Sequence, residues 1–449
     1  MANENPGIQS IGPSFPEALR VWVKVALLSF GGPAGQIAVM HRLLVEEKRW
    51  VDERRFLHAL NFTMVLPGPE AQQLATYLGW LLHGTRGGLV AGTLFVLPGF
   101  LAILVLSILY ALYRDLAAVE ALFYGLKPAV MAVVVAAVVR IGKKALHNRY
   151  LVLLAAVAFV AIFFLEIPFP LIILSAALTG WLGGRRRPDI FLPPEAAEGP
   201  RGRDSASRPV SPWGSLRLLA IWLPLWFGPL ALLALLFGPE NVFLTQGVFF
   251  SKMAVVTFGG AYAVLSYVAQ RAVEDYGWLA PGEMLDGLGM AETTPGPLIM
   301  VVQFVGFMGA FRLAGELPPL AAGILASVVV TWVTFVPCFL WIFLGAPYIE
   351  GLRSNPSLNA ALTAVTAAVV GVILNLAVWF SLNALFSHLS EIHRFGVRLL
   401  VPAWPTLDLP ALLIAAAAFL TLFRFKAGLI PTLAGSAAAG LLFRFLLQL

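Results

Sequence analysis

The sequence holds one cysteine, Cys338, and six histidines in 449 residues. A lone thiol excludes an intramolecular disulfide and any thiolate cluster, and the histidines stand at no spacing that would cage a metal. Neither a metal nor a cofactor is expected. Charge is scarce too: 12% of residues are Asp, Glu, Lys or Arg, against roughly 25% in a soluble domain. No glycine-rich GxxxxGK[ST] loop and no separate polar domain are present, so ATP is not expected as the direct energy source. No catalytic constellation stands out, so the chain is not read as an enzyme, and nothing calls for a nucleic-acid partner. Alternating strands of about ten residues are missing, which argues against an outer-membrane barrel. The opening "MANENPGIQSIGPSFPEALR" lacks a charged leader and a small-residue cleavage site; the first apolar segment is therefore expected to remain in place.

What is there is hydrophobicity. Apolar residues make up 59% of the chain and the mean hydropathy is +0.85. Apolar runs of about 20 residues recur from end to end, the length a helix needs to cross a bilayer. The expected fold class is an all-α integral membrane protein with the lipid bilayer as its solvent.

The chain also repeats itself. "FGG" at 30–32 returns at 258–260, Trp50 as Trp278, and "PGP" at 67–69 as 295–297, all 228 positions apart without a gap. Lys24 and Lys252, "VE" at 45–46 and 273–274, and Leu57 and Leu285 keep the same offset. The chain is thus read as 1–184, a first membrane repeat; 185–215, a Pro- and Arg-rich cytoplasmic linker; 216–243, a connecting transmembrane helix; and 244–449, a second repeat. Loop 41–55 carries five Lys or Arg and its counterpart 269–283 carries one. The positive-inside rule then puts the two loops on opposite sides, 41–55 in the cytoplasm, so the repeats are expected to be inverted. Spans are expected at 86–113, 117–139, 150–165 and 169–183. An even number of crossings must join two cytoplasmic segments, which leaves 56–83 as a re-entrant hairpin folded at PGP. The FGG segment is open to the same reading, and kinked spanning helices are the alternative. Trp50 and Trp278 are expected as interfacial anchors.

A helix that begins inside the membrane exposes unsatisfied N–H groups carrying a partial positive charge, and an anion is the ligand they favour. Proline costs nothing at a first turn, and glycine lets backbone approach a bound group. The expected site therefore gathers Phe30, Gly31, Gly32 and Pro33, Pro67, Gly68 and Pro69, Phe258, Gly259 and Gly260, and Pro295, Gly296 and Pro297. Lys24 and Lys252 would neutralise an oxyanion or snorkel to the interface. Glu70 would cap the helix dipole, compete with the anion or carry a coupling proton; its counterpart is Leu298, while Glu292 lies three residues before Pro295. Gln72, Gln73, Thr294 and Gln303 offer hydrogen bonds at similar depth, or ordinary packing.

The ordered set FGG, acid-containing helix, Trp and PGP, found in "FGGPAGQIAVMHRLLVEEKRWVDERR" through "PGPEAQQ" and again from "FGGAYAV" to "PGPLIM", resembles the chromate ion transporter family of prokaryotes, in its two-domain form. The resemblance implies a multi-pass carrier of the inner membrane that exports chromate, a dianion similar to sulfate, through an inverted pair of domains. It points to the FGG and PGP residues above and to Glu70. The second copy departs from the first, with Ala261 for Pro33 and Leu298 for Glu70. The expected function is secondary transport of chromate or a similar oxyanion by alternating access. A sulfate-type uptake carrier, a passive anion channel and a non-transport scaffold are the alternatives. A homodimer stays open.

Overall fold

The computed structural model describes residues 13–30, 32–191, 212–258, 260–346 and 355–447. Gly31, Gly259 and most of the expected linker lie outside the described residues. The first repeat opens with α1 (Phe15–Leu28), which stops at Ser29, and α2 (Gly32–His41), which runs on into a π-helical turn at Arg42–Glu47. Gly32 takes φ +72°, a setting that disfavours any side chain. α3 (Glu53–Thr63) is capped by Asp52, whose carboxylate accepts the Arg55 N–H at 2.9 Å. After Pro67-Gly68-Pro69 comes α4 (Glu70–Tyr113), which leaves helical geometry at His83 and Gly84. Its two arms fold back so closely that a Cβ on Gly79 would lie 2.4 Å from the Gly87 carbonyl oxygen. α5 (Ala117–Ala145), α6 (Arg149–Phe163), α7 (Phe169–Arg186) and the single turn α8 (Pro188–Phe191) complete this part.

α9 (Pro212–Phe237) leads into the second repeat. There α10 (Val242–Val256), α11 (Ala261–Gln270, then a π turn at Arg271–Asp275) and α12 (Glu283–Thr293) match α1, α2 and α3. A 3₁₀ turn at Leu298–Met300 with α13 (Val301–Arg312), followed by α14 (Pro319–Gly345), matches the two arms of α4. α15 (Pro356–Leu385), α16 (Leu409–Phe419) and α17 (Leu429–Leu447) match α5, α6 and α7. The duplication reaches single hydrogen bonds. The N–H groups of Trp50 and Val51 both donate to the Leu44 carbonyl; those of Trp278 and Leu279 both donate to the Ala272 carbonyl, 228 positions on. Arg49 and Gly277, again equivalent, have φ +53° and +60°.

Among the described residues six helices are long and apolar enough to cross a membrane: α4, α5, α9, α14, α15 and α17. The other helices beside the FGG and PGP breaks, and the arm of α4 before His83, are shorter. Even α10, at 15 residues, reaches only about 22 Å, against a hydrocarbon core of about 30 Å. Each pair folds back as a hairpin: Lys48 at the end of the second helix meets Glu17 at the start of the first at 2.9 Å, Phe62 meets Tyr77 with ring centroids 5.2 Å apart, and Phe249 meets Tyr276 at 5.5 Å.

Long helices are exchanged between repeats. α5 packs on α16 and α17, α15 packs on α6 and α7, and α5 packs on α15. Glycine permits the approach: a Cβ on Gly125 would lie 2.1 Å from the Ser436 carbonyl oxygen, and one on Gly371 would lie 2.0 Å from that of Ala155.

Two expectations need correction. Trp278 is no interfacial anchor: it is 2% exposed and stacked on Tyr276 at 4.3 Å, because its hairpin turns the indole inward against Phe249 and Phe250. The second repeat also inserts an antiparallel hairpin, β1 (Leu389–Arg394) and β2 (Val397–Pro402), between α15 and α16. Arg398 fastens it, meeting Glu274 and Glu391 at 2.8 Å and Glu166 at 3.2 Å. Burial opposes the charge of Arg398, but these carboxylates outweigh it and hold the guanidinium above its ordinary pKa.

Candidate functional site

The breaks come together across the repeats. The Gly68 N–H donates to the Thr257 carbonyl oxygen at 2.8 Å, and the Gly296 N–H donates to that of Ser29 at 2.9 Å. Gly68 and Gly296 are equivalent, as are Ser29 and Thr257, so each PGP break is held by the residue before the other repeat's FGG. Such reciprocal contact is what a twofold relation produces. The same residues stop the preceding helices alike. The Ser29 hydroxyl donates to the Val25 carbonyl at 2.6 Å, and that of Thr257 to Met253 at 2.5 Å. Both break glycines need their lack of a side chain, with φ +122° at Gly68 and +103° at Gly296.

Each break also rests on the residue that follows an interior proline in the other repeat's long helix. A Cβ on Gly68 would lie 2.8 Å from Cys338 Sγ, next to Pro337; one on Gly296 would lie 3.0 Å from the Gly99 Cα, next to Pro98. The Gln36 side chain closes the second break, its Nε2 donating to the Gly296 carbonyl at 2.6 Å.

Chemically the two breaks differ. The helix after the first starts with Glu70, Gln72 and Gln73; the second starts with Leu298, Ile299, Met300 and Val301. Gln72 and Gln73 are fully buried. The Gln73 Nε2 donates to the Pro67 carbonyl at 2.7 Å and the Gln72 Nε2 to Thr76 Oγ1 at 3.1 Å, while both amide oxygens have no partner. Each Nε2 carries a second hydrogen; that of Gln73 is taken by Cys338, so α4 presents the Gln72 amide beside the N–H groups of its first turn. Beside Gly68, Pro69 and Thr257 a cavity of ≈ 10 Å³ holds about one water, too little for a tetrahedral oxyanion. The breaks are closed on each other in this structure.

The remaining expected residues are distributed as follows. Gly32 and Gly296 are buried, and Phe30, Pro33, Pro67, Pro69, Glu70, Phe258, Gly260 and Pro295 are half-buried or buried at the breaks. Pro297 ends the second break. Glu292 is buried on α12 and accepts a short hydrogen bond from Tyr262; Thr294 turns its hydroxyl to the Ala291 carbonyl at 3.4 Å. Gln303 is tied to the Phe100 carbonyl at 3.0 Å. Lys24 and Lys252 are not brought to the breaks. Both stand on exposed faces, where Lys24 meets Glu47 at 3.7 Å. Sequence reasoning missed Ser29, Thr257, Gln36, Cys338 and Tyr262. Only the first two carried a signal, a hydroxyl at both equivalent positions before FGG.

A family model described as "Chromate transporter" matches residues 17–181 and 244–441. A chromate transport protein of Pseudomonas aeruginosa is 33% identical over 80% of this chain and 79% of its own length. A probable chromate transport protein of Synechococcus elongatus is 27% identical over 87% and 90%, and an uncharacterized transporter of Methanocaldococcus jannaschii is 26% identical over 82% and 85%. No solved structure matches.

Proposed function

Given that the chain belongs to the chromate transporter family and is a multi-pass membrane protein, we propose that it exports chromate, or a tetrahedral dianion like it, by alternating access around the paired PGP breaks. The reciprocal hydrogen bonds from Gly68 to Thr257 and from Gly296 to Ser29 carry this reading. They put helix starts from both repeats at one centre, where each repeat's closure depends on the other's. Parting the hairpins would expose the N–H groups and amides at the start of α4, and an anion would replace the lost contacts.

The dianion would bind mainly at the first break, whose donors are buried and incompletely used. Export suits the charge. With the cell interior negative, moving two negative charges outward releases about 4.6 kcal/mol per 100 mV, at about 2.3 kcal/mol per charge. The inverted arrangement belongs to the same proposal, and it rests on five basic residues in loop 41–55 against one in 269–283.

Full-length protein in liposomes loaded with chromate, with an outward-driving potential, tests the reading. Saturable chromate efflux, competed by sulfate or molybdate more strongly than by a monoanion, is expected; non-saturating flux would make the protein a channel. With Cys338→Ser as background, single cysteines at Lys48 and Tyr276 should react with an impermeant reagent from opposite sides. Labelling from one side would overturn the inversion.

A further inference from the structure

A buried acid pair that the site leaves unused lies at the far end of α12. Glu283, at its start, accepts a short hydrogen bond from Arg114 of α4, a second from Arg312 of α13 at 2.6 Å, and a third from the Ala280 N–H at 2.7 Å. One turn on, Asp286 accepts from the Tyr110 hydroxyl of α4 at 2.8 Å and lies 3.5 Å from Lys127 of α5. α12 is the arm that delivers the second PGP break. Its outer end is therefore tied to three other helices.

The first repeat carries different side chains at the equivalent positions. Arg55 and His58 stand where Glu283 and Asp286 do, and Gly84 stands for Arg312. Arg55 is exposed and turns to Asp52 on its own helix at 3.5 Å. The acid pair that ties down α12 is thus a feature of the second repeat's sequence.

The two acids are held unequally. Glu283 has two guanidinium partners and a backbone N–H donor. Asp286 is 3% exposed, has one hydroxyl donor and one ammonium, and its Oδ1 is buried without a partner. Lys127 is the lighter tether, with a third of its side chain exposed. The groups facing Asp286 are Tyr110 from α4, Lys127 from α5 and Glu283 from its own helix, while Arg114, just after α4, and Arg312 of α13 are taken up by Glu283. α17 also packs on α12, but its Arg444 is committed to Glu120 at 2.8 Å.

We propose that Asp286 is a proton-binding residue of the transport cycle, and that its charge decides whether the α12 arm stays clamped to Tyr110 and Lys127. Ionised, it holds the arm and this end is shut. A proton arriving past Lys127 cancels the attraction to the ammonium, and the arm is released to part from Ser29. Glu283, held by two guanidinium groups, acts as the pivot. This rests on the transport reading above and adds the ion that times it.

The test is chromate efflux from liposomes at clamped potential, as a function of the pH on the 269–283 side. Wild-type efflux should rise at least fivefold from pH 8 to pH 5.5, and Asp286→Asn should flatten the profile to within twofold. Lys127→Gln should move the midpoint upward by half a pH unit or more, because the cation that favours the carboxylate is gone; it also serves if Asp286→Asn fails to fold. An Asp286→Asn profile like wild type, or a Lys127→Gln midpoint that does not move, overturns the proposal. Chromate efflux in wild type that ignores pH overturns the proton role alone. No chromate movement at all overturns the transport reading, and this inference with it.

Discussion

The two PGP breaks share a backbone and differ in chemistry. Both glycines have positive φ, both N–H groups reach the other repeat, and both sit beside an interior proline. Yet the first opens onto Glu70, Gln72 and Gln73, the second onto Leu298, Met300 and Val301. The acids of the second repeat lie instead on the incoming arm, at Glu283, Asp286 and Glu292, where the first has Arg55, His58 and Met64. Duplication preserved the hinge and let the chemistry divide. One half places buried amides at its break, and the other holds buried acids on its incoming arm.

The hinge itself should show the largest effect. A methyl group on Gly68 would meet Cys338 Sγ and Gln73 Nε2, each at 2.8 Å, and would strain a backbone at φ +122° by about 1–3 kcal/mol. Gly68→Ala is expected to lower chromate transport at least tenfold in protein that still elutes as a single species. Adding Cys338→Ala should restore part of the loss, since it removes one of the two overlaps and leaves the other and the strain. Gly296→Ala should gain nothing from Cys338→Ala, because its neighbour is the Gly99 backbone. Equal rescue of both would mean that the two hinges do not rest on separate supports.

Next comes the donor set. Gln73→Leu should raise the chromate KM about 10- to 150-fold, the equivalent of a hydrogen bond to a charged group worth about 1.5–3 kcal/mol. Val301→Gln, the mirror change, should leave KM within twofold. If both changes act alike, the anion is shared by the breaks and the division of labour fails.

Much of this architecture was legible in the chain. The spans expected at 86–113 and 117–139 correspond to the second arm of α4 and to α5, because membrane helices announce themselves by length and apolarity; the segments at 150–165 and 169–183 are helices α6 and α7, which are not among the six long apolar ones. The reversal at His83-Gly84 was not legible, since no proline marks it. Nor was the pairing of Gly68 with Thr257, which joins distant segments through backbone atoms that any sequence would supply. The β-hairpin passed unseen because six-residue strands leave little periodic signal. The lysines show the same limit: on α1, Val23, Leu27 and Leu28 are as exposed as Lys24. In lipid both faces of a helix are apolar, so periodicity does not say which face turns inward.

Glu70 should give an effect of opposite sign. Its carboxylate occupies the first turn of α4 and competes with a bound anion for the helix dipole, an interaction of about 0.3–1 kcal/mol at a helix end. Glu70→Gln is thus expected to lower the chromate KM about two- to fivefold, while Leu298→Gln in the second repeat changes nothing measurable. A KM that rises in Glu70→Gln would place the carboxyl among the groups that favour binding, through a proton it donates.

The smallest effect belongs to the lysines. Lys24 and Lys252 hold equivalent places six residues before each FGG phenylalanine, which is why the repeat alone nominates them as partners for an oxyanion. Both side chains stand on exposed faces, and Lys24 meets Glu47 across about half-exposed surface, at 3.7 Å. Exposed pairs of this kind contribute about 0–1 kcal/mol. Lys24→Gln and Lys252→Gln, singly and together, should therefore change chromate KM and maximal rate less than twofold. A tenfold rise in KM in the double variant would mean that the hairpins rotate through most of a helical turn during the cycle, carrying ammonium groups from the outer face to the anion.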